Sequence, residues 1–273
     1  MISSNISEIV WQEITDIKQL SWGLTNQVYL VQLKDWEKVV VKVWDDLQRE
    51  IDFFWYMANI DTLFPKLIDT KWNNVLIIEY KEGKNWKEVV NNINEDNRYT
   101  IWLQLGYAIK KLHSINMPLG IDKKNEIQKM IDYLSLDNVQ IFDQTAYNKN
   151  LEQLRACLNK SSSKFILLHG DFSPHNCLFI EDRSGYHISA ILDPSGRVWR
   201  WANYFDIAYL MNTRWNKNKS QLKKWFEKEY RVDRDGEFYA SVEKTIKMYL
   251  AEIYKSMWDI ESSKKIVDTL WSI

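Results

Sequence analysis

The hydrophobic pattern of this chain changes period once, near residue 80, and that change limits the architectures open to it. Before it, "EITDIKQL" alternates, "NQVYLVQL" and "EKVVVKVW" read as a hairpin pair, and "NVLIIEY" as a buried strand. One helix interrupts them. "DDLQREIDFFWYMANI" carries Leu47, Ile51, Phe54, Trp55 and Ala58 at helical spacing, behind Asp45 and Asp46 as N-terminal caps. The polar stretch "EYKEGKNW" (79–86) holds a glycine and reads as a hinge. Helical periodicity follows: "DNRYTIWLQLGYAIKKLHSI" opening on an Asp cap, then "IQKMIDYLSL", "AYNKNLEQLRACL", "NYFDIAYLMN", "SQLKKWFEKEY", "GEFYASVEKTIKMYLAEIYKSM" and a short tail. This predicts an α+β chain with a small strand-rich lobe at residues 1–82 and a larger, mainly helical lobe at 83–273.

Inside the helical half lies one polar interruption, "LLHGDFSPHNCLFI" (167–180), followed by a hairpin strand, "GYHISAILD". It places Asp171 and Asn176 on one loop, and Asp193 follows 17 residues after Asn176 at the end of an apolar strand. A lone Asp or Asn in a loop is commonly a turn former. A carboxamide and a carboxylate delivered together by buried strands instead suit Mg²⁺, a hard ion held by few protein oxygens plus phosphate. Asp171 is then left to orient a hydroxyl and take its proton, and phosphoryl transfer needs those parts. Lys42 is the one charge in the apolar run "VVVKVW", an unusual place for a solvated lysine, and Glu50 on the next helix can pair with it. Such a pair would hold the ammonium on nucleotide phosphates. His113 and His169 read as structural, and "KKWFEKEYRVDRD" as a solvated face.

Composition narrows the classes further. The 273 residues suffice for a real core, and 45% hydrophobic with 27% charged residues is ordinary for a soluble protein. A net charge of −1 gives no reason to expect nucleic acid or an anionic membrane as partner. No signal peptide or membrane span is read from the sequence. Cys157 and Cys177 have neither metal nor redox spacing, which fits a reduced cytoplasmic setting, with Cys177 as a small buried filler.

These motifs together resemble the aminoglycoside phosphotransferase and choline kinase superfamily, with its protein-kinase-like fold. "HGDFSPHN" resembles its catalytic loop, "ILDPSGR" its metal-binding segment, and "NYFDIAYL" the helix whose Asp, here Asp206, braces that loop. "SWGLTNQVYLV" resembles the nucleotide-covering loop and "IIEYKEG" the adenine-contacting hinge. The resemblance implies a two-lobed fold, with an antiparallel-sheet N-lobe and a helical C-lobe. It implies ATP or GTP as phosphate donor, Asp171 as catalytic base, and Asn176 and Asp193 as Mg²⁺ ligands. By the same resemblance Lys42 binds phosphates, Glu50 positions it, Gly23 and Asn26 lie in the covering loop, and the backbone at Glu79 and Tyr80 takes the base. The expected partner is a small-molecule hydroxyl acceptor, an aminoglycoside-type antibiotic or sugar-like metabolite, with choline or ethanolamine as the alternative. Asp233, Asp235 and Glu237 are candidates to line a pocket for a cationic acceptor. Another class of function, a catalytically inactive nucleotide-binding module, is disfavoured by the intact Lys42, Asp171, Asn176 and Asp193. A protein kinase is a poorer match, because the chain lacks G-x-G-x-x-G.

One feature fits none of this. The chain has 14 Trp but only 8 Gly, so glycine is about 3% where about 7% is usual. Trp22, Trp36, Trp72, Trp199 and Trp258 stand in turn slots that call for glycine, Trp36 directly after Asp35 between two strands. Either these are UGA codons read as glycine in the source organism, or the chain is naturally Trp-rich and its turns avoid positive φ. Trp55 and Trp225, on helical apolar faces, read as authentic.

Overall fold

A computed structural model describes residues 6, 10, 12–20, 27–35, 37–57, 63–115, 122–135, 143–160, 166–194, 200–201, 204–212, 219–230, 237–257 and 259–270. Its contacts divide the chain into two compact units: residues 1–92 with 175–196, and residues 93–174 with 197–273. These contact units are divided differently from the expected lobes at 1–82 and 83–273, and the first is not continuous in sequence.

In the first unit the strands β1 (Ile14–Leu20), β2 (Gln27–Leu33), β3 (Lys38–Val43), β4 (Leu67–Lys71) and β5 (Val75–Glu79) form an antiparallel sheet ordered β1-β2-β3-β5-β4. Period-2 alternation gives the sheet two different faces. Val31, Val39, Val41, Val75 and Ile77 point one way into a core with Ile6 and Val10. Val40 and Lys42 point the other way, opposite Ile78 and Leu76 in register. The helix α1 (Gln48–Met57) buries Ile51, Phe53, Phe54 and Met57. Just before it, the Asp46 carboxylate accepts from the Gln48 amide at 3.1 Å, tying down one of the helix's first free donors. Trp55 is 66% exposed, so its predicted place on the buried face is wrong: Phe53 holds that side instead.

Residues beyond the expected hinge join this unit by pairing with a strand far along the chain. β6 (Lys84–Asn85) pairs with β8 (Cys177–Asp182), which in turn pairs with β9 (Gly185–Ile191). Asn85 and Glu88 form a reciprocal capping box that starts α2 (Trp86–Val89). The Trp86 ring then packs 5.6 Å from Phe179. Gly83 permits this approach, since a Cβ there would lie 2.7 Å from the Ser189 hydroxyl and 2.8 Å from Leu178 Cβ.

The second unit is built on α3 (Glu95–His113), α4 (Lys123–Leu134), α5 (Gln144–Lys160), α6 (Tyr204–Asn212), α7 (Lys219–Glu229), α8 (Glu237–Ser256) and α9 (Ile260–Leu270). The short strands β7 (Ile166–Leu167) and β10 (Arg200–Trp201) pair beside them. Leu134, Tyr147, Leu154, Ala208, Val242 and Ala251 lie in one core. The cap of α3 is Asn94, whose side chain accepts from the Asn97 amide, so the helix starts before the expected Asp cap. The expected tail is the helix α9, which buries Ser263, Ile266 and Leu270. The segment expected to be a solvated face buries Phe226 and Tyr230. Among the described residues no helix is long and apolar enough to cross a membrane.

Gly106 is where α3 meets α7: a Cβ there would sit 2.7 Å from the Phe226 carbonyl oxygen. Gly106→Ala should therefore lower stability by about 1–2 kcal/mol, the overpacking cost less the helix propensity gained. Urea unfolding of the two proteins checks this, and an unchanged midpoint would refute the close packing.

Candidate active site

The first unit assembles an ion cluster around Lys42. Its side chain leaves the apolar strand β3 on the face away from the core and is only 6% exposed. The ammonium donates to Glu50 Oε2 at 2.7 Å and to Asp193 Oδ1 at 2.9 Å. Burial pulls the Lys42 pKa down, but the Asp193 and Glu50 carboxylates overcome it and hold the pKa above the ordinary lysine value. Lys42 is therefore a fixed cation. Glu50 titrates above its usual range because burial and the Asp193 charge together outweigh the pull of Lys42.

Around this cluster is a cavity of about 260 Å³ lined by Val28, Leu30, Val40, Phe54, Leu76 and Ile78, with Lys42, Glu50 and Asp193 at its polar part. Glu79 and Tyr80 line it as well. The Glu79 amide already donates to the Lys66 carbonyl at 2.9 Å, so that backbone donor is unavailable to a bound base. Lys18, Lys81 and Gly83 also line the cavity. Sequence reading missed Lys18 and Lys81, because an alternating strand and a polar loop give surface lysines no distinguishing mark.

Asn176 and Asp193 are placed by one hairpin. Cys177 of β8 pairs with Ile191 of β9, and the Leu192 amide donates to the Asn176 carbonyl at 2.6 Å. Both residues thus emerge at the same end of the hairpin. Asp193 adopts φ 52°, a left-handed conformation that Asp tolerates better than most residues and that is enriched at functional sites. Among the described residues no group of three or more His, Cys, Asp or Glu side chains has metal-binding spacing. A carboxylate plus a carboxamide fits a cation that takes its remaining oxygens from phosphate and water.

Asp171 belongs to the second unit, on the loop after β7. That loop hangs on Asp206 of α6, a fully buried carboxylate. It accepts from the His169 amide at 2.9 Å, the Gly170 amide at 2.7 Å and His113 Nε2 at 3.1 Å. His113 Nδ1 meets the Tyr230 hydroxyl at 2.8 Å, an arrangement in which Nε2 carries the proton and Tyr230 donates. The Asp171 amide donates to His169 Nδ1 at 3.3 Å, and the Tyr209 hydroxyl hydrogen-bonds the Asp171 carboxylate. Sequence reading missed Tyr209, although its position three residues after Asp206 puts both on one helix face. His175 lies on the short turn before Asn176. Cys177 is buried, and burial raises its thiol pKa, so it is a packing residue and no nucleophile.

Gly23 and Asn26 lie outside the described residues, as do Trp22, Trp36, Trp199, Trp258, Asp233 and Asp235; of Glu237 only the backbone, opening α8, is described.

A sheet unit with a buried lysine held by two carboxylates, and a helical unit that pins an aspartate loop on a second buried aspartate, define a kinase-like α+β protein. The chain belongs to the phosphotransferase enzyme family, whose model matches residues 16–222, and is a small-molecule kinase. Solved structures agree on the fold. An aminoglycoside phosphotransferase APH(4)-Ia thermostable mutant in apo form is 13% identical over 94% of each chain, with a TM-score of 0.65. The gentamicin complex of APH(2")-IIa is 16% identical, covering 100% of this chain and 95% of that one, with a TM-score of 0.62. The choline kinase LicA from Streptococcus pneumoniae is 17% identical, covering 100% of this chain and 98% of that one, with a TM-score of 0.66. No curated protein matches the sequence.

Proposed function

We propose that this kinase transfers the γ-phosphate of ATP or GTP to a hydroxyl of an aminoglycoside-type or sugar-like small molecule. The observation that carries this reading is Lys42, a buried cation clamped by Glu50 and Asp193 at the polar part of an apolar cavity. The apolar lining suits a purine, and the Lys42 ammonium would hold α- and β-phosphates. The chemistry of Asp193 and Asn176 fits Mg²⁺, which when bound neutralises charge on the phosphate oxygens.

Asp171 orients the acceptor hydroxyl and takes its proton as the oxygen bonds to the γ-phosphorus. The bond from that phosphorus to the β-bridging oxygen breaks, and the nucleoside diphosphate leaves with its electron pair. Similarity to a choline kinase over the whole chain supports choline or ethanolamine as a second acceptor class.

The test is ADP release with MgATP and a panel of aminoglycosides, macrolides, choline, ethanolamine and simple sugars, with Asp171→Asn alongside. Stimulation by aminoglycosides or sugars, lost in the variant, supports the proposal. Stimulation by choline alone replaces the acceptor class. Nucleotide binding without turnover on any acceptor would assign the chain to the inactive binding modules.

A further inference from the structure

We propose that Tyr209 is a positioning residue for the proposed base, holding the Asp171 carboxylate by a hydrogen bond so that one oxygen is turned to the acceptor. The inference rests on the reading of Asp171 as base and names a residue that reading does not require.

Its geometric ground is the face of α6. Asp206 and Tyr209 are three residues apart and so project from the same side of the helix. Asp206 fixes the backbone of the loop through the His169 and Gly170 amides. Tyr209 reaches the next residue by its side chain, bonding the Asp171 carboxylate. His169 Nδ1 takes the Asp171 amide, so main chain and side chain are both held. A hydroxyl donating to one carboxylate oxygen leaves that oxygen occupied and favours the ionised acid.

The groups facing Tyr209 are Asp171 from the loop, Tyr133 from α4 and Tyr249 from α8. Burial, and then the Asp171 charge, keep the phenol well above its ordinary pKa, so it remains a donor throughout the working range.

Tyr209→Phe keeps the ring and removes the donor. The test follows the Asp171 carboxyl carbon by NMR through a pH titration, assigned by its absence in Asp171→Asn. The Asp171 pKa should rise by about one pH unit in Tyr209→Phe. It should stay in place in Tyr249→Phe, which removes a neighbouring phenol. This readout needs no acceptor, so it stands apart from any failure to find one. If an acceptor is turned over, kcat should fall about tenfold with nucleotide KM unchanged, and the acid limb of the rate profile should move up with the same shift. An Asp171 titration that Tyr209→Phe leaves unmoved overturns the proposal.

A second, independent observation concerns Trp72. It opens the three-residue turn between β4 and β5 with φ 53° and is 82% exposed. The turn cannot relax freely: the Asn74 carbonyl accepts from the Trp44 amide at 3.0 Å and the Asn73 carbonyl from the Leu47 amide at 2.6 Å. A bulky residue is thus held in a glycine conformation while its ring lies mostly in solvent. With the glycine deficit, this leads us to infer that the codon for Trp72 is a UGA that the source organism reads as glycine. The inference extends to Trp22, Trp36, Trp199 and Trp258, which share its kind of slot in sequence.

Reading the codons decides it: UGA at position 72 is expected, and UGG there overturns it. Trp72→Gly should also raise the folded-to-unfolded ratio about 5- to 30-fold, the value of relieving one left-handed residue. An unchanged or lower ratio counts against the inference.

Discussion

Asp171→Asn should lower kcat by about 10²- to 10⁴-fold, the usual worth of a positioned general base. Nucleotide affinity should not change. The separation follows from where the groups lie. The cavity and its cation are built from the sheet unit, whereas Asp171 is held by His169 and Tyr209 of the helical unit. Asparagine preserves the shape and still accepts from Tyr209, so the loop keeps its conformation. What is lost is the site that takes the proton from the acceptor hydroxyl. Calorimetric titration with MgATP and steady-state ADP release measure the two quantities. Turnover that survives the substitution would remove Asp171 from the chemistry.

The second large effect is expected at Lys42. Lys42→Met should abolish detectable phosphoryl transfer and also destabilise the sheet unit by about 3 kcal/mol. Removing the ammonium leaves Glu50 buried opposite Asp193, two carboxylates without their shared cation. Glu50 already titrates above its usual range through burial, so it takes up a proton, which keeps the cost at the lower end for a broken buried pair. The double variant Lys42→Met/Glu50→Gln should then recover most of the stability and none of the activity. Denaturant unfolding beside the kinase assay reads both. A double variant as unstable as the single one would place the cost in packing rather than charge.

Much of this was legible in the sequence because it is written locally. Alternation along β1, the hairpin pair of β2 and β3 and the apolar run of β5 marked the sheet, and an aspartate and an asparagine between two apolar runs marked the loop. Lys42 stood out because charge inside an apolar run must be paired. What escaped was set by distance along the chain. The pairing of Lys84 with Phe179, which draws residues 83–92 into the sheet unit, has no local signature. β4, half-buried and irregular against β5, lacks the continuous apolar run that marks its neighbour. Trp55 misled because helical spacing allows an apolar residue on the flank as readily as on the face. Tyr209 hid for the opposite reason, since a tyrosine in an apolar helix reads as core.

The chain passes between its two units three times, after residues 92, 174 and 196. On a ribosome the five-stranded sheet emerges early, with Lys42 and Glu50 already in place. Asp193, the second carboxylate on that lysine, emerges only after all of α3, α4 and α5 has been made. The sheet unit therefore cannot be finished before the Asp171 loop has been synthesised. No single cut in the gene separates one complete unit from the other, so neither can be copied or lost as one continuous stretch.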